Sequence, residues 1–435
     1  MRALLRGLVW LAGLYAGGGL AAPEIQHWVT EQGLRVYFSP APELPLLDLN
    51  LSFDAGSARD GDRPGLARLT AGMLDEGAGG RDADAIAAAF DRVGASYGAS
   101  VGRDMAQFTL RTLSAPEFAD PAVRTFVDVL ARPDFPAASL ARLKRQTAVA
   151  IEQQKQRPGD VARKAFYRAV YGDHPYAHPV IGTTQSISRI ERRDVMGFYR
   201  RYYGARNAVL AIVGDLDRGA AEALAARISE ALGPGAPAPA LPPAPAPAAA
   251  RTVHIPFPST QAHVFIGQPG VKRGDPQWPT LYLGNHVLGG GGFSSRLVKE
   301  VRVQRGLSYS VYSAFAPMRV RGPFSIGLQT RVDQAGEAVD VARRVLQAFM
   351  AKGPSPEELQ AAQSNITGGW PLRFDSNAER VGYLAVIGFY GLPLDYLETF
   401  PKRIEAVTTD QVREAFATHL DPTRMVTVIV GGPAR

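Results

Sequence analysis

Two stretches of this 435-residue chain repeat each other at a fixed spacing, and no other feature constrains its fold as much. Val195, Phe198 and Tyr199 precede an apolar strand that ends Ile212-Val213-Gly214, and Val412, Ala415 and Phe416 precede one that ends Ile429-Val430-Gly431. The offset is 217 throughout (195 to 412, 199 to 416, 214 to 431), without a gap. Gly94-Ala95-Ser96-Tyr97 likewise resembles Gly306-Leu307-Ser308-Tyr309. Such self-similarity reads as two tandem domains of one design. Between them, residues 233–250 (GPGAPAPALPPAPAPAAA) form a Pro/Ala linker. It is expected to be extended and solvated, with no packed core of its own.

Within the first copy, residues 46–53 (LLDLNLSF) alternate apolar and polar types, which predicts a strand with one buried face. Pro64-Gly65 opens a helix expected to run to about Glu76, and further helices are expected over 83–93, 118–130 and 137–156. Strands are expected over 96–101, 107–113 and 208–213. The fold class is therefore α+β: two homologous domains, 22–232 and 251–435, facing each other across a cleft, a common place for a binding site.

Composition narrows the function classes. With no cysteine, neither disulfides nor thiolate metal sites are available. The net charge is +7, yet the arginines are scattered rather than interleaved with aromatics, so no nucleic-acid footprint is present. Arg2 and Arg6 precede an apolar run over 8–16 and then small residues. Residues 1–21 thus read as a signal peptide cleaved near Ala21, with export to the periplasm and no stable membrane span; a retained anchor is the alternative.

The chemistry concentrates in residues 288–312, LGGGGFSSRLVKEVRVQRGLSYSVY. Gly289, Gly290, Gly291 and Gly292 make a flexible lead-in at which another chain could approach the backbone closely. Residues 293–304 read as a helix, capped by Ser294 or Ser295 and striped by Leu297, Val298 and Val301. Gly306 ends it, and residues 307–312 alternate as a strand. Arg302 and Tyr309 then flank a helix–turn–strand corner at the mouth of a cleft. Phe293-Ser294-Ser295 fits neither the Lys-Ser/Thr of a P-loop nor a dinucleotide fingerprint, which excludes phosphate cradling. On spacing alone Arg302 is a solvated helix residue and Tyr309 a core-edge tyrosine.

The tandem halves, the linker, His174-Pro175-Tyr176-Ala177-His178-Pro179 and the Arg302/Tyr309 corner together resemble the pitrilysin/insulinase-type zinc metallopeptidases, in their shorter bacterial and processing-peptidase branch. The resemblance implies that an Arg and a Tyr at this spacing touch the backbone of a bound extended peptide. It also implies an inverted motif, H-x-x-E-H, on the first long helix, with a downstream glutamate as the third zinc ligand. Here the matching positions hold Arg68, Ala71 and Gly72, which neither ligate zinc nor accept a proton from water. Glu152 is the one carboxylate expected to persist.

His174 and His178 lie in a Pro-rich turn, and His254, His263 and His286 are isolated, so no replacement metal site is expected. The resemblance thus implies a subunit with no metal of its own that pairs with an H-x-x-E-H subunit. The partner would bring zinc, and this chain would bring Arg302, Tyr309 and the glycines to the peptide. The alternatives are a stand-alone peptide-binding scaffold, or a hydrolase with an unrecognised site.

Overall fold

The structure is a computed structural model that describes residues 23–246 and 249–432; the expected signal segment lies outside the described residues. The first half runs β1 (Gln26–Val29), β2 (Arg35–Pro40), β3 (Leu46–Phe53), α1 (Leu66–Ala71), a small ribbon of β4 (Gly77–Ala78) and β5 (Arg81–Asp82), α2 (Ala83–Asp91), β6 (Ser96–Val101), β7 (Ala106–Leu113), α3 (Pro116–Ala131), α4 (Ala137–Lys155), α5 (Pro158–Tyr171), α6 (Thr184–Arg189), α7 (Arg192–Tyr202), β8 (Ala208–Gly214) and α8 (Arg218–Leu232). The second runs β9 (Arg251–Ile255), β10 (Gln261–Pro269), α9 (Trp278–Asn285), β11 (Ser310–Phe315), β12 (Pro323–Arg331), α10 (Ala335–Lys352), α11 (Pro356–Gly368), α12 (Asn377–Tyr390), α13 (Tyr396–Glu405), α14 (Thr409–His419) and β13 (Val426–Val430). Helix starts follow local rules. Proline occupies the first turn of α3, α5 and α11, and side-chain capping boxes open α6, α7, α11 and α14.

The sheet orders are β1-β2-β8-β3-β7-β6 and β11-β12-β10-β13-β9. Read in opposite directions they superpose strand for strand, with β2 parallel to β8 as β9 is to β13. The halves are thus α+β copies, as the repeat requires. Among the described residues the second copy shows no counterpart of β1 or α8. Where α8 buries Ala221, Leu224 and Ile228 in the first half, the second keeps an open groove of about 1240 Å³ beside β9, β13 and α10.

The halves face each other with helices filling the space between their sheets. Each sheet is covered by a helix of the other half: α12 lies on β2, β3 and β8, and α5 on β10 and β13. Gly388 lets α12 settle on the first sheet, because a Cβ there would lie 2.5 Å from both the Tyr37 ring and Val209. This exchange corrects the expectation for β3, whose polar side as well as its apolar side is buried. Asp48, Asn50 and Ser52 tolerate burial because they are partnered. Arg111 donates to Asp48 at 2.8 Å, Ser52 Oγ to Asn50 Oδ1 at 2.8 Å, and Gln107 Nε2 to Ser52.

The linker departs from the solvated spacer expected of its composition. Pro239, Pro242, Ala244 and Pro245 offer carbonyls that accept hydrogen bonds from Arg59, His174 and Arg321, and Ala244 is buried. Proline-rich chain has acceptors that its own backbone leaves unpaired, so fixed donors on the body hold it down.

Candidate functional site

The corner expected in the second half forms, with different winding. Residues 296–303 are helical, not 293–304, and Val298–Val303 is wound as a π-helix in which Gln304 N–H donates to Lys299 O at 2.9 Å. Ser295 does not cap the helix; its hydroxyl donates to the Gly292 carbonyl at 2.7 Å. The strand begins at Ser310 rather than 307. Thr330 Oγ1 holds the Leu307 carbonyl, and Ser308 Oγ donates to the carbonyls of Ser310 and Gln329. Tyr309 therefore lies just outside the sheet, 82% exposed.

The structure brings Arg302 and Tyr309 together and adds a third residue. The Arg302 guanidinium sits 4.7 Å from the Tyr309 ring centroid and 4.8 Å from that of Phe293, itself 73% exposed. Both rings lie within cation–π range of the guanidinium, at a gain of about 0.5–1 kcal/mol per contact for an exposed pair. No side chain or carbonyl among the described residues accepts from the Arg302 N–H groups, so its in-plane donors remain open. A guanidinium held beside aromatic rings with its donors free is suited to peptide carbonyls or carboxylates. Sequence reading missed Phe293; a large aromatic directly after four glycines was the available signal.

The glycines are not a flexible lead-in. A Cβ on Gly289 would meet Ser313 at 2.5 Å, one on Gly290 Asn285 at 2.7 Å, and one on Gly291 the His286 carbonyl at 2.7 Å. Their first role is to let the segment pack against its own chain. Gly292 alone has a positive φ (64°) and open space around it.

In the first half, α1 is short because Gly72 follows it and residues 74–76 continue as a separate 3₁₀ turn, not as helix to Glu76. Asp60 anchors its start, accepting N–H from Gly65 and Ala67 at 2.7 Å each. Arg68, Ala71 and Gly72 border a cavity of about 360 Å³, shared with β6 and with Leu143, Gln146, Thr147 and Ala150 of α4. Those α4 residues form one face at i, i+3, i+4 and i+7. Glu152 lies off that face and does not join the cluster: its carboxylate accepts from Lys155 at 2.7 Å and Thr184 Oγ1 at 2.9 Å. Among the described residues no three His, Asp or Glu side chains gather as a metal-ligand group.

The His-Pro-Tyr turn serves packing. Tyr176, fully buried, donates to Asp104, which also accepts from Tyr390 Oη at 2.9 Å and the Arg319 N–H at 2.8 Å. Asp104 thereby joins the β6–β7 turn, α12 and the β11–β12 connection. Arg59 holds Asp54 through two bonds of 2.9 Å, and Arg319 approaches the same carboxylate at 3.3 Å. His178 Nδ1 lies 3.9 Å from Asp60. Burial lowers the His178 pKa to about 4 and raises that of Asp60 to about 8.

Known proteins resemble this chain over most of its length. Residues 41–184 match the family model of insulinase (peptidase family M16), and residues 189–366 that of the peptidase M16 inactive domain. A solved structure described as a peptidase M16 inactive domain from Pseudomonas fluorescens is 43% identical, with a TM-score of 0.91 over 94% of this chain and 98% of that one. A Helicobacter pylori protein named non-peptidase homolog YmxG is 26% identical, covering 95% of both chains. An uncharacterized zinc protease of Mycobacterium tuberculosis is 28% identical over 92% of this chain and 91% of its own. The chain belongs to the insulinase (M16) peptidase family, as an inactive-type member whose sequence contains no H-x-x-E-H motif.

Proposed function

We propose that this chain is the peptide-binding, non-catalytic subunit of a periplasmic zinc endopeptidase. It pairs with an M16 subunit that carries H-x-x-E-H. The partner holds zinc, activates water and supplies the general base. This chain presents Arg302 and Tyr309 to the peptide carbonyl, stabilising the charge that develops there. The observation that carries the reading is the exposed Phe293–Arg302–Tyr309 stack, with its N–H donors free, in a chain whose own motif positions cannot hold zinc. Kinship with an inactive-domain structure and a non-peptidase homolog supports the division of labour. The Arg2/Arg6 and apolar opening of the sequence supports export.

The experiment is to purify the chain alone and together with an H-x-x-E-H relative encoded by the same organism. Peptide hydrolysis only in the mixture, with co-elution of the two chains, is the expected result. Hydrolysis by the isolated chain would make it an enzyme in its own right. No co-elution and no activity gain would leave the stand-alone scaffold.

A further inference from the structure

The cavity beside α1 is more than an emptied metal site. Arg68 is the one charged residue that lines it, and no acid faces the guanidinium from α1, β6 or α4. No carboxylate or carbonyl among the described residues accepts from Arg68. Across the cavity stand two neutral polar side chains, Gln146 and Thr147, while Ala71, Gly72 and Ala150 leave room between them. One wall is β6, the last strand of its sheet, which bonds to β7 along one side only. Its outer edge keeps unpaired backbone N–H and C=O groups, the template onto which an extended chain adds.

We infer that this cavity is a carboxylate-binding pocket for an extended peptide lying along β6. Arg68 takes the position that a dication would need and converts the attraction from metal to carboxylate. Its planar fork matches a carboxylate through paired N–H donors. Gln146 and Thr147 add neutral hydrogen bonds from the opposite wall. The carboxylate is either the C-terminus of the peptide or an Asp or Glu side chain. The pocket lies in the other half of the chain from Arg302 and needs no partner subunit, so it stands or falls apart from the function proposed above.

The test uses the purified full chain and three hexapeptide pools labelled with an uncharged fluorophore, read by fluorescence polarisation. One pool has free C-termini and no acidic residues, one is amidated with a single Glu, and one is amidated and neutral. At least one carboxylate-bearing pool is expected to bind roughly ten- to a hundredfold tighter than the neutral pool, as charged hydrogen bonds allow. The preferred pool identifies the source of the carboxylate. Arg68→Gln should abolish the preference with the melting temperature unchanged, since Arg68 is exposed and unpaired. Gly72→Leu should abolish it independently by filling the cavity; the position admits a side chain, with nothing nearer than 3.5 Å to its Cβ. Equal binding of all pools, binding of none, or a preference that survives both substitutions overturns the inference.

Discussion

Arg302 gains its meaning from two neighbours that hold it without satisfying it. Phe293 and Tyr309 lie within cation–π range and accept none of its hydrogen bonds. In the proposed two-chain complex, Arg302→Ala is expected to lower turnover roughly a hundred- to a thousandfold, the usual cost of one well-placed charge-stabilising donor. Stability should fall by no more than about 1–2 kcal/mol, the worth of the two cation–π contacts that the substitution removes. Wild-type turnover in that variant, with pairing intact by co-elution, would remove Arg302 from the site. At the opposite site, the isolated chain is expected to elute without stoichiometric zinc by metal analysis. Rebuilding the motif as Arg68→His, Ala71→Glu and Gly72→His should give only weak zinc binding, because Glu152 is turned toward Thr184. Adding Gln146→Glu, on the α4 face that does reach the cavity, should tighten it; equal affinity with and without the fourth change would refute this geometry.

At the scale of single elements, α1 depends on a buried acid. Asp60 holds the first N–H groups of α1, and burial keeps its carboxyl protonated up to about pH 8. The folded state therefore binds a proton that the unfolded state releases from about pH 4 upward, so stability should fall as pH rises toward 8. His178, lowered to about 4 by burial, acts in the opposite sense between pH 4 and 6.5, where only the unfolded state takes up its proton. The two offset each other in that window. Above about pH 6.5 Asp60 acts alone, and chemical denaturation should lose up to about 1.4 kcal/mol per pH unit. In Asp60→Asn that slope should vanish; an unchanged slope between pH 6.5 and 8 would show that another group titrates. Most elements were legible locally because proline starts, caps and alternation act within a few residues. The segment from Gly289 to Tyr309 was misread in detail: the late start of β11 goes with Thr330, which holds the Leu307 carbonyl from a strand remote in sequence.

The whole molecule is stitched by exchange, since α5 and α12 each complete the other half's sheet. Asp104 is the polar centre of that junction, bonded to Tyr176, Tyr390 and the Arg319 backbone. Asp104→Ala leaves two buried phenols and an N–H without their acceptor, and should cost about 3 kcal/mol or more. Thermal unfolding should remain a single transition at a lower temperature if the halves fold as one unit. Two separated transitions in the wild-type chain would contradict the interlocked core.

Repeat spacing and side-chain chemistry need no neighbours to be read, so the duplication, the α+β class and the lack of an H-x-x-E-H motif were legible along the chain. The tertiary structure alone decided that β3 is buried on both faces, that the linker is held to the body, and that Glu152 turns away from Ala71 and Gly72. It also placed Phe293 against Arg302 and left Arg68 facing an unpaired strand edge. Each of these depends on which distant segment lands on a given face, and one chain's local pattern carries no record of that contact.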